Sequence, residues 1–285
     1  MGSLHEIGGL DMNREKTANK FFVHLLLILG SVMMVFPFIW MIITALKTKT
    51  EAIQVPPSLF PENPQWSNFS RIFEVFPFGN FYVNTIVSTV VITVGQVFFC
   101  ALAAYAFARL DFPFKNFLFL LLLSILMVPG QTFLIPQYLI VQRLGLLDSI
   151  PALFMPGLFS AFGTFLLRQF FMSIPEEVEE AAIIDGASRI KIFFTIILPL
   201  SKSALVSLSI FSLLYGWNSL LWPLIVNTST EKMTLSAGLA SLSGQYGTDF
   251  PLVMAGSFLA CIPLIIVFLV FQKQFIEGIA LSGGK

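Results

Sequence analysis

Residues 75–108 read VFPFGNFYVNTIVSTVVITVGQVFFCALAAYAFA, with no Asp, Glu, Lys or Arg among them. A helix needs about 20 mostly apolar residues to cross the hydrocarbon core of a bilayer. Pro77 and Gly79 belong to the approach, so the spacing predicts a helix that starts near Phe81. Reading outward for other charge-free stretches gives Phe21–Leu46, Asn116–Gln142, Ser149–Leu167, Ser203–Thr230 and Phe250–Gln272. The Ser149–Leu167 stretch holds Pro151, Pro156, Gly157 and Gly163, which makes its helix the least regular of the six. Strand-type alternation is absent, and with it the β-barrel reading.

The composition of the 285-residue chain agrees: 56% hydrophobic and 11% charged, with a mean hydropathy of +0.85. Globular chains carry about 25% charged residues. Sixteen Lys and Arg balance sixteen Asp and Glu, which gives no reason to expect nucleic acid as a partner. Cys100 and Cys261 lie in apolar runs, and His5 and His24 are too few for a metal site. The first apolar run exceeds a signal-peptide core and no small-residue cleavage site follows it, so it reads as a retained helix. The fold class is an all-α membrane protein, a polytopic bundle of about six transmembrane helices. Residues 1–20 read as a polar cytoplasmic tail, 21–272 as the six-helix domain and 273–285 as a second cytoplasmic tail.

Orientation follows from the basic residues of the connections. With the N-terminus inside, eleven Lys and Arg lie on the cytoplasmic side and Lys47, Lys49, Arg71, Arg143 and Lys232 lie outside. Lys47 and Lys49 fit this count badly. The two longer outer connections are Lys47–Asn80, rich in Pro with Trp66, and Glu231–Asp249, with Gly238, Gly244, Tyr246 and Gly247. Each reads as a solvated loop or as a docking surface for an external partner.

No acidic or basic residue lies within a span. That weighs against proton-coupled carriers and voltage sensors, which need intramembrane ionisable groups. Sodium coupling through neutral oxygens remains open, and an intramembrane enzyme lacks a catalytic cluster. Ala104 and Ala108 stand on one face and permit close helix approach. Pro129, Pro136, Pro156 and Pro263 are expected to kink or break the later spans.

The longest inner connection, 168–202, reads RQFFMSIPEEVEEAAIIDGASRIKIFFTIILPLSK. Ser173 to Glu176 has capping-box spacing, with Pro175 in the first turn. Glu176, Glu177, Glu179 and Glu180 cluster at the positive end of the helix dipole. Val178, Ala181, Ala182 and Asp185 share one face, and Gly186 ends the helix. Ser188 can cap a second helix whose Ile190, Phe193, Phe194 and Ile197 form an apolar stripe, and Pro199 punctuates the entry to the next span. A helix–turn–helix on the membrane surface is predicted, anchored at both ends to spans.

Glu180-Ala181-Ala182, then Gly186, then Ile196-x-Leu198-Pro199 resembles the EAA loop of ABC-importer permeases, and Asp185 and Ala187 extend the likeness. From about residue 20 onward the chain is similar to permeases of carbohydrate importers like the smaller permease subunit of the maltose transporter. The likeness runs through Ala104–Arg109, Pro129–Pro136, Leu144–Asp148, Phe165–Phe171, Trp217–Leu224 and the tail from Gln272. This resemblance implies the type I ABC importer permease fold and a multi-pass cell-membrane subunit with both termini cytoplasmic. It implies a second permease subunit, two ATP-binding subunits, an extracytoplasmic solute-binding protein and a sugar substrate within the surrounding lipid.

ATP and Mg2+ would be held by the partner subunits, with no cofactor on this chain, which lacks GxxxxGK[ST]. It is therefore expected to be a non-catalytic subunit. The resemblance assigns ATPase coupling to Glu176, Glu177, Glu180, Ala181, Ala182, Asp185, Gly186, Ala187 and Pro199, with Glu180 as salt-bridge partner of an ATPase arginine. The tail Phe275–Lys285 would also touch the ATPase. Gln131, Gln137, Tyr138, Tyr215, Trp217 and Asn218 have chemistry suited to a sugar path, with helix–helix contact or an interfacial belt as the competing reading. A polyol, glycerol phosphate or charged oligosaccharide permease is the alternative, and a stand-alone secondary carrier is the rival from another class.

Overall fold

The computed structural model describes the backbone of residues 4–242 and 248–283, and side chains within 20–242 and 248–273 apart from residue 21. Every regular element among them is helical. In chain order these are α1 (Leu4–Ala45), α2 (Lys49–Ala52), α3 (Asn68–Val75), α4 (Phe78–Arg109), α5 (Lys115–Ser124), α6 (Leu134–Arg143), α7 (Ile150–Phe154) and α8 (Ala161–Met172). There follow α9 (Glu177–Ile184), α10 (Arg189–Ile192), α11 (Leu198–Leu200), α12 (Lys202–Trp217), α13 (Leu221–Val226), α14 (Leu235–Ser241) and α15 (Phe250–Gly283). Short 3-10 turns and one π-helix connect them.

Among the described residues, three helices are long and apolar enough to cross a bilayer: Phe22–Ala45, Phe78–Arg109 and Phe250–Lys273. The count reaches six when each of three bent pairs is one span. The pair Lys115–Met127 and Gly130–Arg143 bends by 105°. Val128 there is extended (φ −95°, ψ 128°), as the residue before Pro129 must be, because the ring clashes with a helical predecessor. Ile150–Gly157 and Ala161–Met172 bend by 44°, across an extended Ser160 whose hydroxyl caps Gly163 N–H at 3.1 Å. Arg189–Leu200 and Lys202–Trp217 bend by 80°.

The apolar span Phe22–Ala45 falls where the first charge-free stretch was read, within a helix whose backbone runs from Leu4. Two expectations need correction. The charge-free stretch Ser203–Thr230 is not one helix. It ends at Trp217 and resumes as α13, whose Pro223 lies near a helix start, where a missing N–H costs little. Pro263 leaves α15 continuous; the departure from helical angles falls at Phe271 (φ −106°, ψ 15°).

The chain forms two compact units, residues 1–72 with 249–259 and residues 73–248 with 260–285. In the first, Lys47 is almost wholly buried. Its ammonium donates to Ser58 O at 2.5 Å and lies 4.8 Å from the Trp40 ring centroid, which satisfies the charge within the loop. Asp249 pairs with Lys49 at 2.9 Å and Arg71 at 3.6 Å. The amide of Asn68 donates to Ala45 O and Lys47 O.

The second unit is organised around α4, which packs mainly against α8 and α12. At its Arg109 end, Cys100, Ala101, Ala104 and Tyr105 meet Leu167, Phe171, Ile192, Phe193, Ile197 and Leu208 in one core. Ala104 is fully buried there and Ala108 packs on the edge, so the small face does bring helices close. At the opposite end of α4, Asn84 donates to Glu231 O and Met233 O, and Thr85 Oγ1 accepts from Leu235 N–H at 2.8 Å.

Candidate functional site

The 168–202 segment folds as an elbow. α9 begins at Glu177 with Glu176 at its N-cap, and no side chain caps it. The helix starts too late for the capping box read from the sequence: Glu176, not Ser173, takes the N-cap position, and the Ser173 hydroxyl donates back to Phe170 O at 2.7 Å on the last turn of α8. Gly186 turns the chain at φ +81°, a left-handed conformation that costs glycine little. Ser188 Oγ then accepts from Lys191 N–H at 3.3 Å and caps α10.

Beyond α10 the chain widens into a π-helix, Phe193–Ile197, closed by a bond from Leu198 N–H to Phe193 O. Pro199 has no N–H to give Thr195 O and its ring would clash with that carbonyl. A π turn absorbs the misfit. Of the apolar stripe, Phe193 and Ile197 are buried, whereas Ile190 and Phe194 are exposed.

Glu177, Glu180, Ala181, Asp185 and Gly186 of the elbow are exposed, as are Glu176 and Pro199. Ala182 and Ala187 are half-buried and pack on the core below, joined by a bond from Ala187 N–H to Ala182 O at 2.9 Å. The buried acid is Glu179, which sequence reading passed over. Its Oε1 lies 2.5 Å from Arg109 Nε, a close ionic approach in which neither atom has a hydrogen-bond partner. Oε2 accepts from Tyr105 O–H at 3.3 Å and lies 3.6 Å from Arg189 Nη1.

Arg109 does more than pair with Glu179. Its Nη2 donates to Phe171 O at 2.9 Å and Ile174 O at 2.5 Å, and its Nη1 reaches Glu176 at 3.4 Å. Arg168 of α8 returns the gesture, donating Nε–H to Phe107 O at 3.1 Å and stacking on Phe119. Each arginine thus supplies positive charge to the carbonyl-rich end of the other helix. Both stand within the stretches 104–109 and 165–171 already singled out by resemblance, and their position at the ends of charge-free runs was the available signal.

A second site is a cavity of about 470 Å3 at the breaks of three spans. Gln131, Gln137, Tyr215 and Asn218 line it, beside Ile92, Phe133, Gly157, Ser219 and Trp222. The other two path candidates lie elsewhere. Trp217 is buried and donates Nε1–H to Ala260 O at 3.2 Å. Tyr138 packs on the cluster of Val141, Ala152, Leu153 and Val226. Trp222 was missed, although it turns its N–H to Ala152 O at 2.8 Å and lends its ring to the wall.

Gln96 sits behind that wall. Its amide donates to Gly157 O at 2.8 Å and accepts from the Ser212 hydroxyl at 2.6 Å, joining α4, the break before α8 and α12. At the far end of the unit Asp148 (φ +53°) binds the 227–232 connection. It accepts from Ser229 O–H at 2.5 Å, Ser229 N–H at 2.9 Å and Thr228 N–H at 3.1 Å, and pairs with Lys232 at 3.2 Å. The Ser229 hydroxyl and amide, foremost, hold its carboxyl well below the usual carboxylate range.

Residues 96–279 match the family of binding-protein-dependent transport system inner membrane components. The chain belongs to this family. It is a permease of a binding-protein-dependent ABC importer and a multi-pass membrane protein. The permease is 37% identical over 266 residues to the sn-glycerol-3-phosphate transport system permease protein UgpE of Yersinia enterocolitica, covering 90% of this chain and 95% of that one. It is 34% identical over 254 residues to the arabinooligosaccharides transport system permease protein AraQ of Halalkalibacterium halodurans, covering 88% and 91%. A subunit of a bacterial ABC transporter involved in the import of alginate, an acidic polysaccharide, superposes with a TM-score of 0.76 at 24% identity, covering 91% of this permease and 97% of that chain. The fold is thus the type I ABC permease fold.

Proposed function

We propose that this permease moves a neutral saccharide inward by alternating access, with α9 as the helix that docks on an ATP-hydrolysing subunit. A second permease completes the path, two ATP-binding subunits hold ATP and Mg2+, and an extracytoplasmic solute-binding protein delivers the sugar. Both termini and the elbow face the cytoplasm, in line with the excess of Lys and Arg on that side.

The observation that carries the docking assignment is the division of α9 into an anchored and a free side. Glu179 points inward, while Glu177, Glu180 and Asp185 are exposed around small Ala181 and the Gly186 turn. Exposed carboxylates beside a shallow small-residue face suit close approach by a basic partner. Charge reversal at Glu180 (Glu180→Lys) in the reconstituted complex is expected to lower substrate-stimulated ATPase and uptake at least tenfold. Wild-type levels of both would overturn the assignment.

The cargo reading rests on the cavity. The name of one relative carries an anion and that of another a neutral oligosaccharide. Among the described residues, none lining the cavity is charged, and an unpaired anion is costly to desolvate. Amides and hydroxyls of Gln131, Gln137, Asn218, Ser219 and Tyr215 offer donors and acceptors beside apolar faces, which suits an uncharged polyhydroxyl compound. Stimulation of the complex by neutral di- and oligosaccharides, and none by glycerol 3-phosphate or oligouronates, is expected. The opposite preference would refute the neutral cargo and leave the docking assignment standing.

A further inference from the structure

We propose that the Arg109–Glu179 pair is the joint through which a displacement of α9 is handed to α4 and so to the cavity wall. The proposal rests on the reading that α9 docks an ATPase. Its starting point is how little else holds α9. Glu179 is the single buried residue of that helix; Ala182 is half-buried, and Val178, Ile183 and Ile184 are exposed. A force on α9 therefore reaches the rest of the unit chiefly through this carboxylate and the chain ends of the elbow.

The carboxylate meets a side chain suited to receive that force. The Arg109 and Glu179 side chains are 6% and 5% exposed, and Arg109 is also fixed to Phe171 O and Ile174 O at the end of α8. A planar guanidinium held at several atoms transmits orientation as well as displacement. Stability alone does not explain such a pair, because apolar residues of similar volume often serve a buried site as well or better.

From Arg109 the path upward is a continuous helix. α4 runs from Phe78 to Arg109 without an internal proline, and Gln96 lies about 20 Å along it from Arg109 at 1.5 Å per residue. There Gln96 grips Gly157 O and the Ser212 hydroxyl, and Gly157 and Ile92 line the cavity. Glu179 and Arg109 are accordingly positioning residues. They touch neither cargo nor nucleotide and act by making α9, α8 and α4 move together.

The test is the number of substrate molecules imported per ATP hydrolysed by the full complex in proteoliposomes. Glu179→Gln keeps the shape and the Tyr105 contact, and Arg109→Lys keeps the charge but loses the fork. Both are expected to assemble with the ATPase in normal stoichiometry and to go on hydrolysing ATP, with import per ATP lowered about tenfold. The double variant Arg109→Met/Glu179→Leu should match the wild type in thermal stability without regaining the ratio.

A wild-type ratio in the single variants overturns the joint. So does a parallel fall of ATPase and import with loss of assembled complex, or recovery of the ratio in the apolar double variant. Should Glu180→Lys leave ATPase docking intact, the docking assignment fails; should it abolish docking while Glu179→Gln keeps the ratio, the joint alone fails.

Discussion

Glu179 and Glu180 are adjacent in sequence and opposite in environment. One is enclosed by Arg109, Tyr105 and Arg189, the other is exposed. On a helix, consecutive residues point about 100° apart, which lets one of two neighbouring acids turn inward while the other faces out. Gly186 is a second residue-scale feature. An added Cβ would meet nothing within 4 Å, yet φ is +81°. The expected cost of Gly186→Ala is therefore purely backbone strain, about 1–2 kcal/mol, read as a modest fall in thermal stability with weaker ATPase docking.

Asp148 gives the pH dependence. Its folded pKa is depressed, first by the Ser229 hydroxyl. Its stabilisation is thus complete above the unfolded value of about 3.9 and fades as pH falls from there toward the lower folded value. The stability difference between wild type and Asp148→Asn should be constant from pH 5 to 8 and shrink below pH 4.

At the scale of elements, each interruption has its own cause. Pro129 forces Val128 out of the helical region, and Pro199 provokes the π turn over Phe193–Ile197. These positions were visible as prolines, but the 105° and 80° bends at 128–129 and 201 were not, because the angle depends on what each half packs against. Close packing of α12 on α4 is a further case. A Cβ on Gly216 would lie 3.0 Å from Thr89 Cα, and backbone cannot yield as a side-chain tip can. Gly216→Val should destabilise the permease by about 1–3 kcal/mol, measured as faster thermal inactivation in detergent, and should perturb the adjoining cavity where Tyr215 and Asn218 lie.

For the whole molecule, orientation and partnership are quantities that experiment reads directly. Ile184→Cys, at a site 86% exposed on the elbow, is expected to react with an impermeant thiol reagent only from the cytoplasmic face. Thr230→Cys, in the connection tied to Asp148, should react only from outside. Labelling in the reverse sense would invert the topology. A gently solubilised tagged chain should co-purify with an ATPase and a second permease, and the chain alone should transport nothing. Lys47 and Lys49, awkward in the charge count, are accounted for locally: one is buried against Ser58 O and Trp40 and the other paired with Asp249.

Hydropathy and motif spacing are local properties, and they alone were enough for the membrane class, the six apolar stretches and the elbow with its glycine turn. Gln131, Gln137, Tyr215 and Asn218 were identifiable as polar groups in apolar surroundings. Their convergence on one cavity, and the diversion of Trp217 and Tyr138 into packing, arose only when broken spans met in three dimensions. The same holds for Glu179. Its sequence marks it as one acid among four, and Arg109, 70 positions earlier, becomes its partner because α4 and α8 end side by side and leave a buried charge to be neutralised.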